Sequence, residues 1–357
     1  MKSGPENTSL MSFSEVKRDY WPTEEWRTAA PESVGLDRGK LLELDKELNS
    51  RCWGVNGMVV VSKGYVVFER YNGGFGPGDS HNVASVTKSV ISALIGIAID
   101  LGYVESVNQN VLDFFPDYVP AKNDFLKRTV TIKDLLTMTA PFAWKTRNLR
   151  DEPLDKLLRQ RDWVAFVLDL LDRDGQPGEF QYSTAGPHLL SAIISGATGK
   201  CAREFANEYL FRPVGMREIP DRSMESFELD DVFGKNVKGW IKDPNGISTG
   251  GWGLTLTPWD MARFGFLYLN GGSWNDKQII SKEWIDESTA MNPNGYGYLW
   301  WLGEENDIFS FSALGAGGNV IRCIPEKDLV VAIASEIVDK PRDPMQLVDD
   351  CILPAVQ

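Results

Sequence analysis

The sequence predicts an α+β fold: one antiparallel sheet built from both chain ends, flanked by helices, with a mainly helical lobe inserted. Three observations predict it. β-rich runs occur early, at Gly57–Ser62 and Tyr65–Tyr71. Comparable runs return only late, at Tyr296–Trp301, Ile308–Ser312, Val320–Ile324 and Leu329–Ala334. Between them, from Ser85 to about residue 292, the pattern is mostly helical. Strands at both ends then share one sheet, and the helices form a lobe beside it.

Taken in order, residues 1–25 read as a polar arm spotted with aromatics. Pro31–Asp37 caps a first helix that runs to about Asn49. Lys63-Gly64 turns the two early runs into a hairpin. A glycine-rich loop, Asn72–Ser80, delivers the chain to Ser85. Further helices are expected at Thr131–Leu136, Trp163–Leu168, Pro187–Ala197, Trp259–Leu269 and Lys282–Thr289. Pro325–Asp328 is a tight turn between the last two strands, and a helix closes the chain at Met345–Leu353. The resulting division is an arm, 1–25, and one catalytic domain, 26–357. Its sheet lobe takes about 26–80 and 293–357, and its helical lobe about 81–292.

The helix after Ser85 carries the chemistry. After Ala84–Ser89, the stretch Val90–Gly102 is apolar on nearly every side, so it is buried, yet it is too short to cross a bilayer. Ser85 and Lys88 stand three apart, one above the other on the first turn. Free N–H groups and a positive dipole end meet there. Burial disfavours a charged amine, and a neutral lysine can take a proton from serine. Ser85 is thus a candidate nucleophile and its own amide a candidate oxyanion donor. A serine helix cap gives the same spacing.

Two further stretches could serve it. Gly178–Gly186 holds Tyr182 in a Gly/Ser-rich turn before an apolar helix. A tyrosine beside a lysine can act as base and acid. Ser312–Asn319 is a strand edge of small residues, where a substrate can approach the backbone and an N–H can complete an oxyanion hole. A half-buried tyrosine and a glycine-rich turn are the plainer alternatives.

From about Trp21 onward, these motifs in this order resemble the serine β-lactamase and penicillin-recognising superfamily, in its class C-like branch. That branch also holds family VIII carboxylesterases, D-amino-acid peptidases and 6-aminohexanoate-dimer hydrolases. Ser85 and Lys88 match Ser-x-x-Lys. Tyr182 and Ser183 match Tyr-x-Asn, with Thr184 in its third place. The Lys/His-x-Gly motif falls on Ala313-Leu314-Gly315, without its cation, followed by Ala316 and Gly317. The resemblance implies a β-lactamase-like fold and acyl transfer on Ser85, with Lys88 and Tyr182 sharing the proton work. It implies an oxyanion hole of the Ser85 and Ala316 amides, and no cofactor. Without a cation at Ala313, carboxylate-bearing β-lactams and peptides fit less well than esters or small amides. Carboxylesterase-like hydrolysis is therefore expected. A β-lactamase, a D-amino-acid peptidase and a non-catalytic penicillin-binding sensor are the alternatives.

Composition narrows the partners. The net charge of −13 repels nucleic acid and anionic membranes, so a small-molecule substrate is expected. Cys52, Cys201, Cys323 and Cys351 are scattered, as free thiols in a reducing compartment would be. No apolar leader opens the chain, so a cytoplasmic setting is expected. The histidines, His81 and His188, lack partners at metal-ligand spacing, so no metal is expected. Gly246-Ile247-Ser248-Thr249-Gly250 fits Gly-x-Ser-x-Gly, but it lacks the apolar strand before and the histidine after that this nucleophile needs. Trp144, Trp240 and Trp252 either line an acyl pocket or pack the lobe.

Overall fold

The computed structural model describes residues 17–49, 53–144, 153–226, 231, 234, 237–336, 338 and 342–357. Residues 1–16 and Cys52 lie outside these. Among the described residues, six strands form one antiparallel sheet. They are β1 (Val55–Ser62), β2 (Tyr65–Tyr71), β3 (Trp301–Glu305), β4 (Ile308–Gly315), β5 (Asn319–Ile324) and β6 (Leu329–Ser335). Their spatial order is β2-β1-β6-β5-β4-β3. The junction of early and late chain is the β1–β6 ladder, running from Val55 opposite Ser335 to Ser62 opposite Leu329.

β1 and β6 are buried at every position. Successive side chains of a strand point to opposite faces, so a run this apolar needs cover on both sides. Met58, Val60, Val331 and Ile333 pack on one face with Leu41 and Leu44 of α1 (Arg38–Glu47) and with Leu347 and Ile352. Val59, Val61, Val330 and Ala332 pack on the other with α2 (Val86–Asp100) and the Pro258–Leu269 helix. The chain closes on a helical segment of changing pitch, Met345–Leu347, Val348–Ile352 and Leu353–Ala355.

The described part of the arm is anchored. Arg18 donates to both oxygens of Asp328 and to Asn270, and Tyr20 Oη donates to the Gly64 carbonyl at 2.6 Å. Trp21 packs against Phe266 and Trp274.

One expected strand is different. Only Trp301 of the 296–301 run enters a strand; Tyr296 touches it through a single bridge to Trp301. Leu299 has a left-handed backbone, φ 60°, and its N–H bonds to the Leu136 carbonyl. The alternation that imitates a strand comes from Tyr296, Tyr298 and Trp300, all buried in a folded-back turn.

Every residue from Val86 to Ala98 is buried, including Lys88. Burying an ion costs several kcal/mol. Val90, Ile91, Leu94 and Ile95 are wholly buried on the same helix, and each contributes about 1.5–3 kcal/mol. The helix can therefore hold a lysine in its core. No helix among the described residues is long and apolar enough to cross a membrane.

Candidate active site

Ser85 precedes α2 and is half-buried. The helix-cap alternative fails here, because its side chain caps no backbone N–H. Its Oγ instead meets Lys88 Nζ at 2.8 Å. Just before it, Ala84 has φ 48°, a left-handed conformation that costs a residue with a Cβ of order 1 kcal/mol. Asn82 holds that kink: its Oδ1 accepts from the Ala84 N–H at 2.9 Å.

Lys88 is 1% exposed. Besides Ser85, Nζ donates to the Gly251 carbonyl at 2.9 Å and lies 3.4 Å from Thr184 Oγ1. None of these three partners is a carboxylate. The amine is held by neutral oxygens and aimed at the serine. Thr184, in the place of the motif's asparagine, still reaches the lysine.

Tyr182 lies across the amine, its ring centroid 4.9 Å from Nζ. Its turn is pinned to Met138: the Gln181 N–H donates to the Met138 carbonyl, and the Ser183 N–H meets the Met138 sulfur at 3.3 Å. The ring stacks on Trp301 at 5.6 Å and stands edge-on to Tyr296 at 6.1 Å. Phe180 adds a fourth ring, 5.3 Å from Tyr296. Burial, and next the neighbouring Tyr182, push the Tyr296 phenol well above its ordinary value, so Tyr296 is a neutral wall. Trp144 and Trp240 are fully buried, and Trp252 packs against Trp163. Aromatic faces beside the candidate base thus come from Phe180, Tyr296 and Trp301.

The third stretch reaches the same place. β4 ends at Gly315, and a Cβ there would lie 2.2 Å from the Val83 carbonyl oxygen. Only glycine lets the strand edge come so near the turn that carries Ser85. Ala316 follows, half-buried, and Gly317 and Gly318 turn the chain with φ 86° and 93°. Ala313 is 1% exposed, and its methyl packs in the core.

The rival serine is packed into the helical lobe. Ser248 is 2% exposed; its Oγ accepts from the Arg203 N–H, and its carbonyl accepts from Ser191 Oγ. A Cβ on Gly250 would lie 1.8 Å from the Pro187 carbonyl oxygen, so that glycine serves close packing. His188 is buried with Nε2 3.3 Å from Asp243, and His81 is buried against Phe75. Among the described cysteines, Cys201, Cys323 and Cys351 are free.

The residues that sequence reasoning missed act through backbone carbonyls or through side-chain amides that bind backbone. Gly251 offers a carbonyl and Met138 another. Asn82 and Asn319 hold turns. None has a residue-type signature that points to the site.

The beta-lactamase family pattern matches residues 51–347. The 6-aminohexanoate-dimer hydrolase of Paenarthrobacter ureafaciens is 24% identical over 345 residues, covering 87% of this chain and 80% of that protein. A candidate 6-aminohexanoate-dimer hydrolase from Bacillus anthracis has the same fold, with TM-score 0.73 and 20% identity over 93% of this chain and 87% of that one. So does EstCE1, a hydrolase with promiscuous acyltransferase activity, with TM-score 0.67 and 15% identity over 87% of this chain and 97% of that one. At such identities the structural likenesses speak to fold. With the pattern spanning most of its length, the chain belongs to the beta-lactamase family, within the serine β-lactamase and penicillin-binding-protein-like superfamily.

Proposed function

We propose that the protein is a serine hydrolase that cleaves esters or small amides through a covalent acyl-enzyme on Ser85. The observation that carries this is the 2.8 Å contact between Ser85 Oγ and a buried lysine whose partners are neutral oxygens. In the amine form, Lys88 takes the Ser85 proton as Oγ attacks the substrate carbonyl carbon. The oxyanion is held by the Ser85 and Ala316 amides. Lys88 and Tyr182 return the proton to the leaving alcohol or amine as its bond breaks. Water then attacks the acyl group, giving its proton to the same pair, and Ser85 leaves protonated.

Two features support carboxylesterase-like substrates. Ala313 puts a methyl where a carboxylate-binding cation would stand. Phe180, Tyr182 and Trp301 are half-exposed aromatic faces beside the base, suited to an apolar acyl or leaving group. Free thiols support a cytoplasmic setting.

Fluorophosphonate labelling followed by peptide mass spectrometry tests the nucleophile: the label is expected on Ser85. A label on Ser248, or none on Ser85, overturns the reading. Assays in parallel test the substrate. Turnover of p-nitrophenyl butyrate is expected, with little of nitrocefin. The reverse ranking would make the protein a β-lactamase, and a single acylation without turnover a sensor.

A further inference from the structure

Asn319 opens β5 and is 2% exposed. Its side chain makes three contacts, all to backbone. Oδ1 accepts from the Ser335 N–H at 3.1 Å. Nδ2 donates to the Ala316 carbonyl at 2.9 Å and to the Asn82 carbonyl at 3.4 Å. The Ser335 N–H can only donate, which settles which way the amide faces. One backbone donor and two backbone acceptors call for a neutral group that accepts once and donates twice, and a primary amide does this.

The two carbonyls belong to different halves of the site. Asn82 leads into the kink at Ala84 and so to the amide of Ser85. Ala316 is fixed at both ends. Gly315 before it pairs with Asn319 in the β4–β5 ladder and abuts Val83, and its own carbonyl is tied to Asn319. The Gly318 N–H closes the turn on the Gly315 carbonyl at 3.1 Å. The residue that carries the second candidate donor is thus held on both sides.

We propose that Asn319 is a positioning residue that sets the two oxyanion donors, the amides of Ser85 and Ala316, relative to one another. This rests on the acyl-transfer reading of the site. A donor pair works only if it is aimed before charge develops, and a misplacement of about 1 Å can cost about 10²-fold in rate. One buried amide spanning both turns gives that rigidity without touching substrate.

The test uses Asn319→Asp, which is nearly isosteric, keeps the acceptor for Ser335 and removes both donors. The substrates are a p-nitrophenyl ester and its thiono analogue, whose sulfur is a poorer acceptor for N–H donors. The expected result is a fall in kcat of about 10²-fold with KM little changed. The preference for the oxo ester over the thiono ester should shrink in the same variant. If both esters slow equally and the preference holds, Asn319 is only structural and the proposal fails. If Asn319→Asp does not fold, Asn319→Ser is read by the same ratio. Labelling of the unaltered protein separates the two failures. No label on Ser85 overturns the site itself, while a labelled Ser85 with an unmoved ratio overturns only the role of Asn319.

Discussion

Two serines in this chain sit in motifs that name a nucleophile, and their surroundings are opposite. Ser85 is half-buried, caps nothing, follows a left-handed alanine and shares its Oγ with a buried amine. Ser248 is sealed, with its Oγ engaged by a backbone N–H and its carbonyl by another hydroxyl. Each also has a buried histidine nearby. Each ring has one buried nitrogen without a hydrogen-bond partner, Nε2 of His81 and Nδ1 of His188, but the other nitrogen of His188 faces Asp243 at 3.3 Å. At Ser248 both the hydroxyl and the carbonyl are spent on holding the lobe together. The region around Ser85 leaves groups strained or underused, as sites of chemistry do. A spacing of residue types thus says less than whether the serine oxygen is already occupied.

The comparison breaks most sharply at the serines themselves. Ser85→Ala should lower ester hydrolysis by roughly 10⁴–10⁶-fold, while Ser248→Ala should leave kcat alone. Steady-state assays on both variants check this, and an active Ser85→Ala would end the distinction.

Next come the proton carriers. Lys88→Ala and Tyr182→Phe should each cut kcat by roughly 10²–10⁴-fold. The double variant should be little worse than the poorer single one, because groups that act as a unit are lost together. If Tyr182→Phe keeps full activity, Lys88 works alone. If the two losses multiply, the pair is not a unit.

His81 sharpens the contrast in stability. Burial lowers its pKa to about 4, against an opposing pull from Asp79. Between about pH 6.5 and 4 the unfolded chain binds a proton that the folded one refuses, so stability falls as pH falls through that window. The loss is on the order of 3 kcal/mol. Urea unfolding across that range should show a shallower slope for His81→Leu. An unchanged slope would mean that other groups carry the acid sensitivity.

The smallest effect is expected at Ser248. Ser248→Ala strands the Arg203 N–H in the interior, which costs about 1–3 kcal/mol of stability. Denaturant titration should find that loss with kcat unaltered.

What could be read before any coordinates follows a physical line. Ser85 and Lys88 were legible because their contact is made within one helical turn, where spacing alone decides who meets. The turn around Tyr182 fits a half-buried tyrosine equally well, and only the order of the motifs, which resembles the family's, singled it out. The sheet was legible because β1 and β6 must be apolar throughout to be buried on both faces. The Gly251 carbonyl was not legible: it lies 163 residues from Lys88, and every residue owns a carbonyl. Asn319 stood in the glycine-rich run, yet its task depends on Asn82, Ala316 and Ser335 converging in space. Residues 296–300 imitate a strand because Tyr296, Tyr298 and Trp300 alternate for burial in a turn.

The ladder between β1 and β6 bears on how the protein is made. A ribosome releases β1 and β2 early, and they can pair at once as a hairpin. The other edge of β1 must wait for residues 329–335. At about 5–20 residues per second, that wait is roughly 10–60 s. Throughout it the nascent chain carries an open, apolar strand edge, the kind of template on which neighbouring chains pair. The yield of folded protein in a cell then depends on what shields that edge during elongation, however stable the finished molecule is.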